Sequence, residues 1–405
     1  MLMRKLYYLS RVLRQQWYSK RKLEKLQNKA LRAIVEHAYR TVPFYRRVFS
    51  KLKLRPSDVR RKEDLKKLPV INKETVLKYY KDFMSRAFGN TKEIYQRTSS
   101  GSSGTPLKVP FDSRAIDYME AVYARDHFAV GYRPWWELAY YWYEPFKPKL
   151  YEKFGLMRKR YIPCNLSLEQ QLKILEEAKP KAIYYYATSM YYLAKKAEEL
   201  GVEINPKLII THAEILTEKM RRTIEDVFKA PVYDQYGSTE FIRMAWECKE
   251  RMGYHIDADA VIMEFLKDGE PVEEERGSVV ITGLVNYFFP LIRYDQGDIA
   301  VPSNEKCACG RKFPMIKKIE GRREYFLGRV SPRELLEVLF KQDSVKMFYV
   351  EKKEGKLNFK VVPGEGFKEK KLRKVLKSLF KKRISIEIVS DVKKSPRGKY
   401  RVYDF

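Results

Sequence analysis

Short apolar runs alternate with amphipathic helical patterns through the middle of this 405-residue chain, and this alternation restricts its fold more than any other feature. The apolar runs have the length and the β-branched and aromatic content of buried strands, whereas the segments between them carry apolar residues at helical spacing. Strands that alternate with helices are typical of α/β proteins, because each helix covers one face of a sheet. The predicted strands are 181–189, 207–214, 231–237 and 278–284, and the predicted helices are 168–178 and 218–229.

The N-terminal part of the chain predicts helices. Apolar residues recur there at helical spacing among lysines and arginines, so we expect a helical arm that spans residues 1–90 within a larger domain. A stripe of this kind packs on the protein's own core more often than it lies on a membrane surface. The stripe consists of Leu23, Leu26, Leu31, Ile34 and Val35.

Two later regions depart from the alternation. Residues 286–298 predict a strand, an interruption at Pro290 and a second strand, because proline cannot donate a hydrogen bond to a central sheet. A β-rich region is therefore expected there. After residue 320 the pattern is helix, strand, strand, helix and strand, which predicts a small α+β unit of about 80 residues.

The charge of the chain is strongly basic. It has 82 lysines and arginines against 52 aspartates and glutamates, a formal net charge of +30, and its hydrophobic fraction of 44% is that of a globular protein. The excess has two interpretations: the solvated surface of a heat-adapted protein, or attraction to an anionic partner. We expect no specific nucleic acid among the partners and leave peripheral association with an anionic membrane as an open alternative.

Cysteine usage and the N-terminus predict a cytoplasmic protein. Four cysteines do not form the dense framework of a small secreted scaffold, which favours a reducing compartment. Charged residues interrupt the N-terminal apolar stretch before it reaches the length of a signal peptide or a membrane span. These residues are Arg4, Lys5, Arg11 and Arg14.

A run of hydroxyls and glycines forms the strongest local signal. Glycines let a backbone approach phosphate oxygens closely, and the N–H groups and hydroxyls of such a loop can donate to several of them. No Gly-Lys-Ser/Thr sequence follows, so this is not a Walker loop, and a flexible loop is the alternative interpretation. The run consists of Thr98, Ser99, Ser100, Gly101, Ser102, Ser103, Gly104 and Thr105.

Two further turns carry carboxylates. The turn 234–240 directly follows a strand-like run and presents an aromatic ring that can stack on a base, a hydroxyl, and a carboxylate that can hold Mg²⁺. In the turn 293–298, a carboxylate could accept hydrogen bonds from both ribose hydroxyls. An ordinary strand-ending or solvent-facing turn is the alternative for each.

The order and spacing of these three motifs resemble the core motifs of the superfamily that includes acyl-CoA synthetases, nonribosomal peptide synthetase adenylation domains and luciferases. Within it, the chain is most similar to phenylacetate-CoA ligase-like proteins, including the CapK-like proteins of capsular polysaccharide biosynthesis. The superfamily likeness continues in 321–324, 328–332 and 395–399, and the closer likeness is carried by 31–49, 65–76 and 307–322.

The resemblance implies an α/β fold with two domains. The large N-terminal adenylate-forming domain, with mixed sheets and a β-rich subdomain, would span 1–323, and a small mobile C-terminal α+β domain would span 324–405, with Glu324 as the pivot. The implied activity is ATP-dependent activation of a carboxylate as an acyl-AMP, followed by transfer to coenzyme A. The open alternatives are an adenylate former that acts without coenzyme A in capsular polysaccharide or cofactor biosynthesis, or on a carrier-protein thiol, and a non-catalytic, basic, zinc-stabilised binding protein.

The resemblance also assigns roles to individual residues. Residues 98–105 would hold the ATP phosphates, and Lys399 would reach the bridging and carboxylate oxygens during adenylation. Thr239 and Glu240 would join Lys399 as catalytic residues, with Glu240 on Mg²⁺. An anionic carboxylate must attack an anionic α-phosphate, so catalysis would consist mostly of positioning and charge stabilisation. The other nucleotide-binding residues would be Ala213, Glu214, Asp234, Tyr236, Gly237, Ser238, Asp298 and Arg322.

Three of the four cysteines and one of the four histidines lie in two short segments that flank the β-rich region. They could complete a tetrahedral Cys₃His zinc site, although the Cys-x-Cys spacing is tighter than that of the usual zinc knuckle. Buried free thiols and a packed histidine are the alternative. The resemblance implies zinc at these positions, and a closed set of four ligands implies a structural role. The residues are Cys248, His255, Cys307 and Cys309.

Overall fold

A computed structural model describes residues 2–89, 94–99, 105–353, 356–380, 384–392, 394–395, 397–400 and 402–404. Its helices are α1 (Leu2–Gln15), α2 (Lys20–Thr41), α3 (Pro43–Lys51), α4 (Lys73–Lys78), α5 (Ser113–Ala129), α6 (Leu150–Lys153), α7 (Leu168–Ala178), α8 (Ala187–Leu200), α9 (Glu218–Phe228), α10 (Pro332–Leu339) and α11 (Glu369–Leu379). Short 3₁₀ helices span Pro56–Asp58, Lys62–Lys67, Tyr80–Phe83, Arg86–Phe88 and Arg323–Tyr325.

The strands complete the element order. They are β1 (Ile94–Thr98), β2 (Lys108–Asp112), β3 (Leu138–Trp142), β4 (Lys159–Pro163), β5 (Ala182–Tyr186), β6 (Leu208–His212), β7 (Val232–Tyr236), β8 (Ala245–Glu247), β9 (Tyr254–Ile256), β10 (Val261–Lys267), β11 (Glu270–Pro271), β12 (Gly277–Gly283), β13 (Tyr294–Ser303), β14 (Met315–Arg322), β15 (Val345–Lys353), β16 (Lys356–Pro363), β17 (Ile384–Ile388) and β18 (Tyr403–Asp404). The predicted α/β class is confirmed. None of the described helices combines the length and the apolar character needed to cross a bilayer.

Local capping explains why the central helices begin where the sequence predicts. At the start of α7 the Ser167 hydroxyl accepts a hydrogen bond from the Gln170 backbone N–H at 3.3 Å, and the Gln170 side chain accepts from the Ser167 backbone N–H at 3.0 Å. This reciprocal capping box satisfies two of the N–H groups that a helix start leaves unpaired. The helix ends at Lys179, whose backbone is left-handed (φ 43°).

The first of two compact units contains Met1–Gly131 and Gln235–Ile319. Its strands follow the spatial order β11, β10, β12, β13, β14, β9 and β8, with antiparallel pairing between β10 and β12, β12 and β13, and β9 and β8. The predicted apolar stripe of α2 packs into the core of this unit, where Leu31, Ile34 and Val35 are fully buried and share a hydrophobic cluster with Phe265 and Ile281. The stripe therefore covers the protein's own core.

One predicted strand in this unit is wrong. Residues 284–293 form turns, and only the second part of the predicted pair is a strand, β13. The Asn286 side chain accepts a hydrogen bond from the Phe289 N–H at 3.3 Å and donates one to the Pro110 carbonyl at 2.9 Å. These local bonds offer the backbone an alternative to a sheet ladder, and Pro290 has no N–H to contribute to one.

A buried ion cluster surrounds Arg125 on α5, inside the first unit. The guanidinium donates to Asp259 at 2.6 Å, to Asp126 at 3.3 Å and to Asp257, and all four side chains are at most 1% exposed. Burial raises the pKa of Asp257 to about 6, and the Arg125 charge opposes that rise. The Trp246 indole N–H also donates to Asp257, at 3.0 Å.

The second unit contains Tyr132–Asp234 and Glu320–Phe405. Strands β4, β3, β5 and β6 are neighbours in that order and run parallel. Along the chain, α7 lies between β4 and β5, α8 lies between β5 and β6, and α9 follows β6. A four-stranded sheet has the order β17, β16, β15, β18, with β15 and β16 antiparallel. One hydrophobic cluster includes residues from both sequence segments, such as Ile183, Leu193, Leu335 and Val350, each fully buried.

The elements after residue 320 confirm the predicted α+β pattern, because α10, β15, β16, α11 and β17 follow one another in the expected order. The division into domains at 1–323 and 324–405 stays a prediction. The two compact units are groups of residues that pack together. The predicted boundary instead marks the position about which the C-terminal domain would move.

Candidate active site and metal centre

In the first unit, Tyr236 and Asp298 lie side by side, although 62 residues separate them in sequence. Tyr236 is the last residue of β7, and Asp298 lies within β13. The tyrosine hydroxyl donates to the Asp298 Oδ2 atom at 2.5 Å, and the two residues are 9% and 7% exposed. The structure therefore brings together the predicted adenine-stacking and ribose-binding residues of this unit.

The turn after Tyr236 depends on Gly237. A Cβ atom at this position would collide with the Ile242 carbonyl oxygen, so only glycine permits the close backbone approach. The turn places Glu240 in a buried position, where its Oε1 atom accepts a hydrogen bond from the Tyr294 hydroxyl at 3.1 Å. Ser238 and Thr239 are half-buried in the same turn. The carboxylate predicted to hold Mg²⁺ is thus oriented by a fixed donor.

In the second unit, the predicted residues Ala213 and Glu214 follow directly after β6. Ala213 has a left-handed backbone (φ 66°), which non-glycine residues seldom adopt and which is found preferentially at functional sites. The Glu214 Oε2 atom accepts a hydrogen bond from the Thr188 N–H at 2.8 Å. On the neighbouring strand, Asp234 accepts a hydrogen bond from the Thr211 hydroxyl at 2.6 Å.

Lys399 lies against this strand end. Its Nζ atom donates to the Ala213 carbonyl at 3.2 Å and lies 5.5 Å from the centroid of the Tyr186 ring. Burial raises the pKa of Glu214, and the positive charge of Lys399 opposes that rise. The second unit therefore brings Lys399, Ala213 and Glu214 into one constellation.

The ends of the predicted phosphate loop are joined by a hairpin. Strands β1 and β2 pair antiparallel, with Thr98 opposite Lys108, and Ser99 exchanges two hydrogen bonds with Leu107, one through its backbone N–H and one through its hydroxyl. Thr105 is exposed. The predicted residues Ser100, Gly101, Ser102, Ser103 and Gly104 lie outside the described residues.

Arg322, the remaining predicted nucleotide-binding residue, is the last residue of β14 and is half-buried. Glu324, the predicted pivot, lies two residues further, in the 3₁₀ helix Arg323–Tyr325, and is exposed. Their roles stay predictions.

Cys248, His255, Cys307 and Cys309 form a single cluster in the first unit, and one candidate ligand atom from each lies within 4.8 Å of the others. The Cys248 and Cys307 sulfurs are 3.5 Å apart, and the Cys309 sulfur is 3.3 Å from His255 Nε2. A tetrahedral zinc ion with bonds of about 2.0 to 2.3 Å requires ligand atoms roughly 3.5 to 3.8 Å apart. Two of the pairs lie near this spacing and all four atoms lie within 4.8 Å, so the cluster could hold a metal ion.

Local structure brings these four side chains together. Cys248 follows β8 and His255 lies in β9, so the turn between them returns the chain to the same edge. This turn needs Gly253, which has φ 136° and whose Cβ would collide with the Ile316 carbonyl oxygen. Cys307 and Cys309 lie in the connection between β13 and β14.

The four candidate ligands differ in how readily they take the deprotonated form that binds a metal. Burial lowers the pKa of His255 to about 4, so its imidazole is neutral at neutral pH, which is the form that binds metals. Burial raises the pKa of Cys248 to about 12. Burial would also raise the pKa of Cys309, but hydrogen bonds from the backbone and side chain of Arg311 outweigh it and lower that pKa.

Comparison with known proteins identifies the relatives of this chain. It is 29% identical over 392 residues to phenylacetate-coenzyme A ligase from Thermus thermophilus, an alignment that covers 91% of this chain and 85% of the relative. The chain is a homologue of the phenylacetate-coenzyme A ligases. Protein CapK from Staphylococcus aureus is 28% identical over 175 residues, which cover 42% of this chain and 38% of CapK. No family model matches the sequence.

Solved structures confirm the fold of this ligase homologue. A crystal structure of 2-hydroxyisobutyryl-CoA ligase, in the postadenylation state and in complex with R3-HIB-AMP, superimposes with a TM-score of 0.80. The match covers 96% of this chain and 91% of the other at 19% sequence identity. The predicted membership of the adenylate-forming fold is therefore confirmed.

An aromatic cluster lies in the second unit of the ligase homologue. Trp142, Tyr184 and Tyr186 pack around His212 at the end of β6, and Tyr140 extends the cluster. Tyr184 stacks on His212 with ring centroids 4.0 Å apart, and Tyr140 stacks on Tyr184 at 4.8 Å. His212 was missed, although its place directly before Ala213 and Glu214 was a usable signal.

Proposed function

We propose that this chain is an ATP-dependent acid–thiol ligase that converts a small-molecule carboxylate to an acyl-AMP and then to a coenzyme A thioester. The observation that carries the proposal is the position of Lys399, whose Nζ atom lies 3.2 Å from the Ala213 carbonyl at the edge of the parallel sheet. Ligand sites of α/β proteins lie preferentially at this edge. The homology to phenylacetate-coenzyme A ligases supports both chemical steps.

The chemistry of adenylation explains why a lysine is needed. A carboxylate oxygen attacks the α-phosphorus, the bond from that phosphorus to the bridging oxygen breaks, and pyrophosphate leaves. Both reactants are anionic, so a cation at the reacting oxygens lowers the barrier by stabilising charge that develops in the transition state. Lys399 supplies that cation, and its contact with the Ala213 carbonyl holds the ammonium group in place.

The nucleotide roles follow from the same proposal. Tyr236 would stack on adenine while its hydroxyl stays on Asp298, which would accept from the ribose hydroxyls. Glu240 would hold Mg²⁺, which neutralises phosphate charge when it is bound with ATP. Thr239 and the loop 98–105 would donate to phosphate oxygens, and Arg322 would approach the same nucleotide.

Product analysis tests the proposed function. Incubation with ATP, Mg²⁺ and a panel of aryl and alkyl carboxylates should release pyrophosphate only when a suitable acid is present, and the thioester should form only when coenzyme A is added. Mass spectrometry identifies the acyl-AMP and the thioester. AMP release that is indifferent to coenzyme A would instead indicate an adenylate former with another acceptor, the alternative that the CapK similarity favours.

The same experiment separates catalysis from simple binding. A non-catalytic basic protein would bind polyanions in a salt-sensitive manner and would release no pyrophosphate with any acid. The absence of carboxylate-dependent pyrophosphate release across the whole panel would contradict the proposed function.

We also propose that Cys248, His255, Cys307 and Cys309 hold a structural zinc ion. The support is the distance of at most 4.8 Å between the four donor atoms and the neutral state of His255. Zinc would tie the connection between β13 and β14 to strands β8 and β9, which lie elsewhere in the sequence. Four protein ligands leave no open position for a reactant, so the ion would stabilise the fold.

Zinc content is expected to depend on the cluster. Protein purified without chelator should contain about one equivalent of zinc, and Cys307→Ser should lose it and lower the melting temperature by more than about 5 °C. Elemental analysis and thermal melting measure both effects. Cys164→Ser is the matched control, because Cys164 is a buried thiol outside the cluster and its loss should leave the zinc content unchanged. Less than about half an equivalent in the unaltered protein would contradict zinc binding.

A further inference from the structure

The turn that carries Lys399 is seated on a specific set of side chains in the second unit. Gly398 precedes the lysine, and its carbonyl oxygen accepts hydrogen bonds from the Tyr141 hydroxyl at 3.0 Å and from the Ser189 hydroxyl at 3.3 Å. Tyr141 lies on β3 and Ser189 in the first turn of α8. Two donors from separate elements therefore converge on a single carbonyl, 257 and 209 residues away in sequence.

The fit around Gly398 is steric as well as polar. Its backbone has φ 76°, and an ideal Cβ at this position would lie 2.7 Å from the Cys164 sulfur and 2.9 Å from the Tyr141 hydroxyl. A residue with a side chain would meet both the strained backbone and these clashes. The surface formed by Tyr141, Cys164 and Ser189 thus has room for a glycine but not for a residue with a side chain. We call these three residues the glycine socket.

Hydrogen bonds join Ser395 to Gly398 and Lys399. The Ser395 N–H donates to the Lys399 carbonyl at 2.7 Å, the Gly398 N–H donates to the Ser395 carbonyl at 2.8 Å, and the Ser395 hydroxyl accepts from the Lys399 N–H at 3.2 Å. Tyr400 follows and packs edge-on against Tyr192 of α8, with centroids 4.6 Å apart. Gly398 directly precedes Lys399, so the two hydrogen bonds to its carbonyl constrain the direction in which Lys399 leaves the backbone.

We infer that the glycine socket holds Gly398 and Lys399 in the arrangement that adenylation requires, and that Tyr141 and Ser189 are positioning residues for the first half-reaction alone. The inference rests on the proposed function. Both hydroxyls act on a backbone carbonyl one residue before Lys399, and neither is assigned a contact with a reactant. Acyl transfer to a thiol needs no cation at the α-phosphate, so seating of Lys399 is irrelevant to that second step.

Separate measurement of the half-reactions tests the socket. Tyr141→Phe should lower carboxylate-dependent ATP–pyrophosphate exchange about five- to tenfold, which is the loss expected for one buried hydrogen bond. Adding Ser189→Ala should deepen the loss, and Gly398→Ala should lower exchange at least tenfold without removing a donor from the socket. Conversion of a supplied synthetic acyl-AMP and coenzyme A to the thioester should stay within about twofold of the unaltered enzyme in each case.

Tyr185→Phe is the matched control. Tyr185 is fully buried and stacks on Tyr141 with centroids 4.0 Å apart, but its hydroxyl donates to Gln171. Tyr185→Phe removes a tyrosine hydroxyl from the same hydrophobic cluster as Tyr141→Phe does, and it should leave exchange unchanged. Equal losses in both half-reactions, or exchange by Tyr141→Phe equal to that of an active unaltered enzyme, would overturn the socket alone. Absence of exchange in the unaltered enzyme would overturn the proposed function and the socket together.

Discussion

Replacement of Lys399 by alanine is expected to reduce carboxylate-dependent ATP–pyrophosphate exchange by about a hundred- to a thousandfold, the loss typical for one preorganised electrostatic group. The ammonium group lies on the Ala213 carbonyl beside the buried Glu214, so truncation removes the cation that this strand end positions. Nucleotide binding should change far less, because adenine and ribose contacts are assigned to other residues. Exchange assays and equilibrium ATP binding separate the two effects.

A second lysine of the same sequence segment provides the control. Lys377 is exposed in the last turn of α11, and Lys377→Ala should leave exchange unchanged while removing the same charge from the chain. The thioester-forming half-reaction from supplied acyl-AMP should persist in Lys399→Ala. Exchange within about threefold of the unaltered enzyme would show that Lys399 is an ordinary surface lysine.

Replacement of Arg125 by methionine is expected to destabilise the first unit by about 3 to 5 kcal/mol, since removal of one partner from a buried ion cluster leaves uncompensated charge. Asp126, Asp257 and Asp259 would then lack the guanidinium that all three contact, and each is at most 1% exposed in its side chain. Methionine fills much of the volume of the arginine side chain, so the lost stability would come mainly from the missing charge and less from a cavity. Chemical denaturation measures the change in unfolding free energy.

The pH dependence of that loss has a defined sign. Burial already raises the pKa of Asp257 to about 6, and removal of Arg125 would raise it further. A carboxyl group whose folded pKa lies above its unfolded pKa loses stability as the pH rises from the unfolded value to the folded value, so a higher folded pKa in the variant extends the loss to higher pH. The difference in unfolding free energy between Arg125→Met and the unaltered protein should therefore grow above about pH 6.

An exposed ion pair supplies the comparison for this prediction. Arg160 donates to Glu137 at 2.9 Å, but its side chain is 53% exposed. Arg160→Met should change the unfolding free energy by less than about 0.5 kcal/mol, with no trend in pH. An equally small change in the unfolding free energy of Arg125→Met would contradict the prediction. It would show that the three aspartates tolerate the loss of the arginine charge.

Local sequence patterns predicted much of the fold. The helix predicted at 168–178 has those bounds in the structure, because its apolar spacing and its Ser167 cap act within one or two turns. The elements after residue 320 were predicted for the same reason. The strand predicted before Pro290 failed because Asn286 bonds its own turn and the distant Pro110 carbonyl, a contact that no local pattern encodes.

The candidate site was predicted only as a set of separate motifs. Family likeness selected Tyr236, Asp298 and Lys399, but the hydrogen bond between Tyr236 and Asp298 comes from tertiary structure. The Arg125 cluster and the seat of Gly398 join residues more than 130 positions apart. Periodicity and turn chemistry carry information over a few residues, so contacts of this range stay invisible to them.

The discontinuous make-up of the second unit has a consequence for how the chain acquires its structure. Residues 132–234 share their hydrophobic cluster with side chains such as Leu335, Phe348 and Val350, which leave the ribosome only after more than a hundred further residues. The apolar surface of the central parallel strands therefore stays exposed until the segment Glu320–Phe405 has been synthesised. Such high contact order slows folding and exposes intermediates to aggregation. Truncation before residue 335 should accordingly yield a product that depends on chaperones for solubility.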